Sequence, residues 1–156
     1  MKKSADFKKV LGFIQITRKQ LAIALTVGVS LFVIAWVSTL LLLIYNVDLP
    51  ESDTEEQLEE SFVKTVFELL IAAPIVEEVL FAGFIYPILR KKMGTRTGIA
   101  LNSFFFALIH LKPILIPLYF VPAVVKMYAY ERTHCIYVPM IIHFLHNFFI
   151  VLMILL

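Results

Sequence analysis

The chain has 156 residues, is 60% hydrophobic and only 17% charged, and has a mean hydropathy of +0.88. Soluble domains run near 45–50% apolar with about 25% charged residues, and disorder needs low hydrophobicity with high net charge, so both classes are excluded. What remains is an integral membrane protein with room for about four to six spans of ~20 residues. The net charge of +2 gives no sign of a nucleic-acid partner. The single cysteine, Cys135, excludes an internal disulfide framework and a Cys-rich metal site.

Residues 1–20 form a basic N-terminus with Lys2, Lys3, Lys8, Lys9, Arg18 and Lys19. Residues 21–45 then run without a charge, too long for the apolar region of a signal peptide, and read as a retained first transmembrane helix. Residues 46–61 form an acidic external loop, with a short capped helix expected to start at Ser52 or Asp53. Residues 62–156 make a four-helix core.

The second span, about 62–89, carries Pro74 and the pair Glu77-Glu78 near its middle. At 1.5 Å per residue it would be roughly 42 Å long, beyond the ~30 Å hydrocarbon core, and Pro74 is the expected kink. A basic turn follows at Arg90, Lys91, Lys92 and Arg96, where Gly94 and Gly98 read as loop residues rather than a helix-packing face. The third span is about 97–111, ended by Lys112-Pro113, and the fourth about 114–130, with Pro117 and Pro122 inside. After a short turn around Arg132, the fifth runs from Cys135 to Leu156. The fold class is therefore an all-α, polytopic membrane helix bundle of about five transmembrane helices. Five spans place every basic turn on one side, which makes the N-terminus cytoplasmic and the protein a multi-pass cell-membrane protein.

Charges inside a span are rare and usually functional. Glu68 and Lys126 lie nearer helix ends and read as snorkelling residues with a structural role. Counted inward from the basic turns, Glu77 and Glu78 lie roughly 18–20 Å deep, His110 and Asn147 roughly 20 Å, and His143 roughly 14 Å. Three helices thus bring polar groups to one level. His143 and Asn147, four apart, share a face. His146 reads as a packing residue. Glu77 and Glu78 point about 100° apart, so one faces the centre while the other braces it. Two carboxylates at mid-bilayer, each costing about 2.5–3.5 kcal/mol on insertion scales, would not persist for packing alone.

These residues resemble the motifs of the CPBP family of intramembrane proteases (CAAX proteases and bacteriocin-processing enzymes, also called Abi). That family carries EExxxR, FxxxH and HxxxN on successive helices. They read here as Glu77-Glu78-Val79-Leu80-Phe81-Ala82, Phe106 to His110, and His143 to Asn147. The resemblance covers about 62–150. It implies an all-helical core that hydrolyses a peptide bond in a peptide or protein substrate reached through the lipid bilayer. By analogy, Glu77 is the base that activates water, Glu78 its partner, His110 a water-positioning group, and His143 and Asn147 hold the water or the oxyanion. A carboxylate in an apolar pocket can act as a base near neutral pH. If a metal is used, His110 and His143 with a glutamate would bind zinc in a His2Glu set. A metal-free glutamate mechanism fits the same residues.

The family arginine is Ala82 here, which leaves the two carboxylates in an apolar site with no nearby fixed cation. Three readings stand: an intramembrane endopeptidase of peptide maturation or bacteriocin self-immunity; a non-catalytic immunity or scaffold protein that binds a peptide or membrane partner; and, less well matched to the histidine motifs, an ion or proton carrier. Neither the substrate nor the oligomeric state is legible.

Overall fold

The structure, a computed structural model, describes residues 11–46, 53–110 and 116–155. Four basic residues of the N-terminus (Lys2, Lys3, Lys8 and Lys9), the acidic-loop positions Asp48 and Glu51, and the Lys112-Pro113 stop lie outside those residues. Among the described residues every regular element is helical. Three helices are long and apolar enough to cross a membrane: Arg18–Leu41, Ser61–Met93 and Tyr137–Leu155. The protein is a multi-pass, all-α membrane bundle.

Helix α1 (Arg18–Ile44) opens on a reciprocal cap. Thr17 N donates to Gln20 Oε1 at 2.9 Å and Gln20 N donates to Thr17 Oγ1 at 3.3 Å, which satisfies two of the free donors of the first turn. Near its other end, Ser38 and Thr39 donate their hydroxyls to carbonyls one turn back, so both are satisfied within the apolar stretch. Its inner face lies along the last helix, α7 (Tyr137–Leu155). Gly28 makes the closest approach: a Cβ there would sit 2.6 Å from Leu145 Cδ1. One turn on, Phe32 stacks on Phe149 with centroids 3.9 Å apart.

Residues 11–17, the described part of the basic N-terminus ahead of α1, pack against the bundle. Leu11 is buried, and Gly12 accepts a hydrogen bond from Ile136 N at 2.9 Å. Gly12 has φ +82°, and a Cβ would press on the Tyr130 ring at 3.0 Å, so only glycine fits. Apolar Leu11, Phe13, Ile14 and Ile16 reach the core clusters, which holds this stretch down.

The acidic segment forms the expected helix, α2 (Asp53–Phe67), with a break at Ser61 (φ −156°, ψ 79°). It continues through a π-helical turn, Glu68–Ala72, into α3 (Ala73–Glu78), then a second π-helical stretch, Val79–Ile85, into α4 (Tyr86–Met93). Here the expected kink at Pro74 is replaced by something different. Pro74 and Pro87 each stand in the first turn after a π stretch. A proline lacks its N–H and its ring crowds the carbonyl four residues back. Those carbonyls belong to Leu70 and Gly83, both inside the widened turns, where the i→i+5 pattern makes room. The glutamate pair sits between the two.

Gly94 (φ +82°) turns the chain into α5 (Thr95–Leu108). Gly98, read as a loop residue, is helical and buried instead: a Cβ would lie 3.0 Å from Arg90 N, so the small side chain sets how closely α4 and α5 meet. Helix α6 (Ile116–Thr133) contains Pro122 and leads through His134 (φ +50°) into α7. The connection is tight because Cys135 and Ile136 are fully buried.

The ends of α4 and α6 are tied together. Arg90 donates from Nε and Nη2 to the Glu131 carboxylate at 2.8–3.0 Å, and Tyr86 Oη donates to Glu131 Oε2 at 2.8 Å. Partial burial works against the Glu131 charge, but these donors outweigh it and hold the carboxyl below its usual range.

Candidate active site

The helices enclose a pocket of about 250 Å³ whose lining includes Glu77, His110, Lys126, His143, His146 and Asn147. Four of the five motif residues thus meet in one cavity. The fifth, Glu78, stands behind it with its side chain 1% exposed. The π stretches on either side of α3 place the pair. Glu77 turns toward the cavity, and Glu78 turns into the protein.

Glu78 is a fully buried carboxylate with two donors on one oxygen. Its Oε1 accepts from Lys126 Nζ at 2.5 Å and from His143 Nδ1 at 2.8 Å. A carboxylate can only accept, so His143 carries its proton on Nδ1 and leaves Nε2 as an acceptor. That Nε2 stands 4.0 Å from Glu77 Oε2. Glu77 Oε2 is buried yet makes no hydrogen bond of its own. A buried acceptor without a partner is costly and calls for a bound water or ligand.

His110, just past the end of α5, is fixed in the same way. Its Nδ1 donates to the Phe106 carbonyl at 2.9 Å, and its ring stacks on Tyr119 with centroids 4.1 Å apart. The acceptor Nε2 is left for the cavity. Asn147 donates one amide hydrogen to the Leu69 carbonyl at 2.8 Å and keeps a second to give. That carbonyl belongs to the first π turn, so the widened backbone also anchors the amide. His146, read as a packing residue, lines the cavity beside Asn147.

Lys126 was read as a snorkelling residue, and the structure corrects this. Its side chain is 5% exposed, its ammonium touches Glu78, lies 3.2 Å from His143 Nδ1, and sits 4.0 Å above the Phe106 ring. The depth estimate failed because α6 continues to Thr133, two turns beyond Lys126, and because a buried carboxylate draws the ammonium inward. The expectation that the pair has no fixed cation fails with it: the charge absent at Ala82 arrives from another helix. Charge in the middle of α6 was the available signal; only its partner was hidden.

The residues do not assemble a zinc site. Among the described residues no group of three or more His, Cys, Asp or Glu side chains comes together to hold a metal. The Lys126 ammonium, 3.2 Å from His143 Nδ1, also puts a positive charge beside the ring that would oppose a bound dication.

Residues 59–149, more than half of the chain, match the family described as Type II CAAX prenyl endopeptidase Rce1-like. The chain matches no curated protein and no solved structure significantly. The matched span takes in the glutamate helix, both histidine motifs and Lys126, and the chain belongs to the Rce1-like CAAX protease family.

Proposed function

We propose that the protein is an intramembrane endopeptidase in which Glu77 activates a water for attack on a peptide bond. The observation that supports it best is the unpartnered Glu77 Oε2, 4.0 Å across the cavity from His143 Nε2. A water at hydrogen-bond distance, about 2.8 Å, from both would have each hydrogen held by an acceptor and a lone pair free for attack.

In the reaction Glu77 takes one proton from this water as its oxygen bonds to the scissile carbonyl carbon. The carbonyl oxygen becomes an oxyanion, and the second amide hydrogen of Asn147 stabilises it. Glu77 then returns the proton to the leaving nitrogen as the C–N bond breaks. His110, with Nε2 free, orients a water at the cavity wall. No step is routed through a metal, because the donors present do not form a ligand set. On the family resemblance, the substrate is a peptide or protein entering from the bilayer, in peptide maturation or bacteriocin self-immunity, with the N-terminus and the Arg90–Arg96 turn on the cytoplasmic side. The reading as a non-catalytic binder drew on a glutamate pair without a cation, and Lys126 removes that reason.

The test uses a quenched fluorescent peptide ending in a CAAX sequence, in farnesylated and unprenylated forms, with protein reconstituted in liposomes. Cleavage of either form is expected, and Glu77→Gln should lower it about 10²–10⁴-fold, the usual worth of a general base. Wild-type cleavage by Glu77→Gln, or cleavage of neither peptide by the native protein, would overturn the reading.

A further inference from the structure

We propose that Lys126 is the positioning residue of this site: from α6 it supplies the cation that fixes Glu78 and, through Glu78, the ring of His143. The inference rests on the endopeptidase reading for its kinetic consequences but not for its structural one.

The geometry is that of one acceptor held by two donors. Lys126 Nζ and His143 Nδ1 converge on the same oxygen, Glu78 Oε1, at 2.5 and 2.8 Å. Glu78 stands behind the cavity, and the Lys126 ammonium, though Lys126 lines the cavity, is engaged with Glu78. Their effect passes through the imidazole. With Glu78 held ionised and immobile, the Nδ1–H form of His143 is the one that donates, and Nε2 faces Glu77. Without the ammonium, Glu78 becomes an uncompensated buried charge. Its cheapest response is to take up a proton, and a protonated Glu78 no longer requires a donor from His143.

The surroundings show a cation built in from α6 rather than tolerated there. Lys126 is flanked by the Phe106 ring, whose face attracts an ammonium, and Phe106 belongs to the helix that carries His110. The next residue, Met127, fills the cluster that surrounds Ala82, together with Tyr86, Ile99 and Tyr130. Ala82 is itself fully buried. The volume an arginine would need at 82 is therefore occupied by α6, and the charge comes from α6 one residue earlier.

The experiment reads the protonated nitrogen directly. Protein labelled with ¹⁵N-histidine is measured by NMR as wild type, Lys126→Met and His143→Gln, the last to assign the ring. Wild type should show His143 protonated at Nδ1, and Lys126→Met should move these shifts to the other tautomer or to a mixture. On the quenched peptide, kcat should fall on the order of 100-fold, as for loss of an orienting partner, with KM changed by less than about threefold. Unchanged His143 shifts in Lys126→Met overturn the proposal. If that variant does not fold, Glu78→Met with Lys126→Met removes both charges together. A folded, inactive protein is expected, and wild-type cleavage by it overturns the proposal. Glu77→Gln, assayed alongside, judges the functional reading separately: were it fully active that reading would fall, while the nitrogen shifts would still decide the role of Lys126.

Discussion

Two ion pairs join α3 and α4 to α6, and they differ in nearly every respect. Arg90 and Glu131 meet near the helix ends, with side chains 48% and 14% exposed. Glu78 and Lys126 meet inside, with side chains 1% and 5% exposed. The outer pair has good bidentate geometry and an extra donor in Tyr86, yet water screens it, and pairs of that kind add little to stability. The inner pair costs several kcal/mol per ion to desolvate, so its attraction serves largely to repay its own burial. Two apolar residues of similar volume would often serve packing as well. A charge pair kept at such a cost is better explained by what it holds, which here is the imidazole across from Glu77.

The comparison can be broken most sharply at Glu78. Glu78→Ala strands the Lys126 ammonium in the bundle, and unfolding followed in detergent should show a loss of about 3–5 kcal/mol. An unchanged unfolding midpoint would mean that water reaches Lys126 and that the inner pair is no different from the outer one. Next comes Ala82→Arg, which returns the family residue to its place. The site at 82 is closed and its cation already supplied, so overpacking should cost about 1–3 kcal/mol with no gain in peptide cleavage. A gain would show that Lys126 does not do the work of that arginine.

The smallest effects belong to the outer pair. Arg90→Ala should shift the thermal midpoint only slightly, and less in high salt. Glu131 adds a pH signature. Its carboxyl is held below the usual value of 4.5, so its contribution is present above that pH and lost as pH falls through the lowered folded value. Glu131→Gln should therefore flatten the acid limb of the stability profile and leave cleavage at neutral pH unchanged. Loss of cleavage would tie the outer pair to the site after all.

Glu77, His110, His143 and Asn147 were legible as a group because depth along a helix is a linear count and helical phase a simple one. The same arithmetic misplaced Lys126, since a position two turns from a helix end can snorkel outward or be pulled inward, and only the partner decides. It also placed Gly98 in a loop, because the close approach of the Arg90 backbone is a contact between helices and leaves no mark on periodicity. The π stretches were hidden for a related reason. Pro74 and Pro87 announce a disturbed ladder, but whether the helix kinks or widens depends on what packs against it.

By itself, then, the sequence determined the membrane class, the order of the helices and the identity of the groups that could do chemistry. Those follow from hydrophobicity and from the cost of burying charge, which are properties of residues and short segments. Tertiary structure alone decided which glutamate faces the cavity, which nitrogen of His143 is left free, and where the missing cation comes from. Each of these depends on atoms far apart in the chain meeting within about 3 Å, where hydrogen bonds and ion pairs act and where no local count reaches.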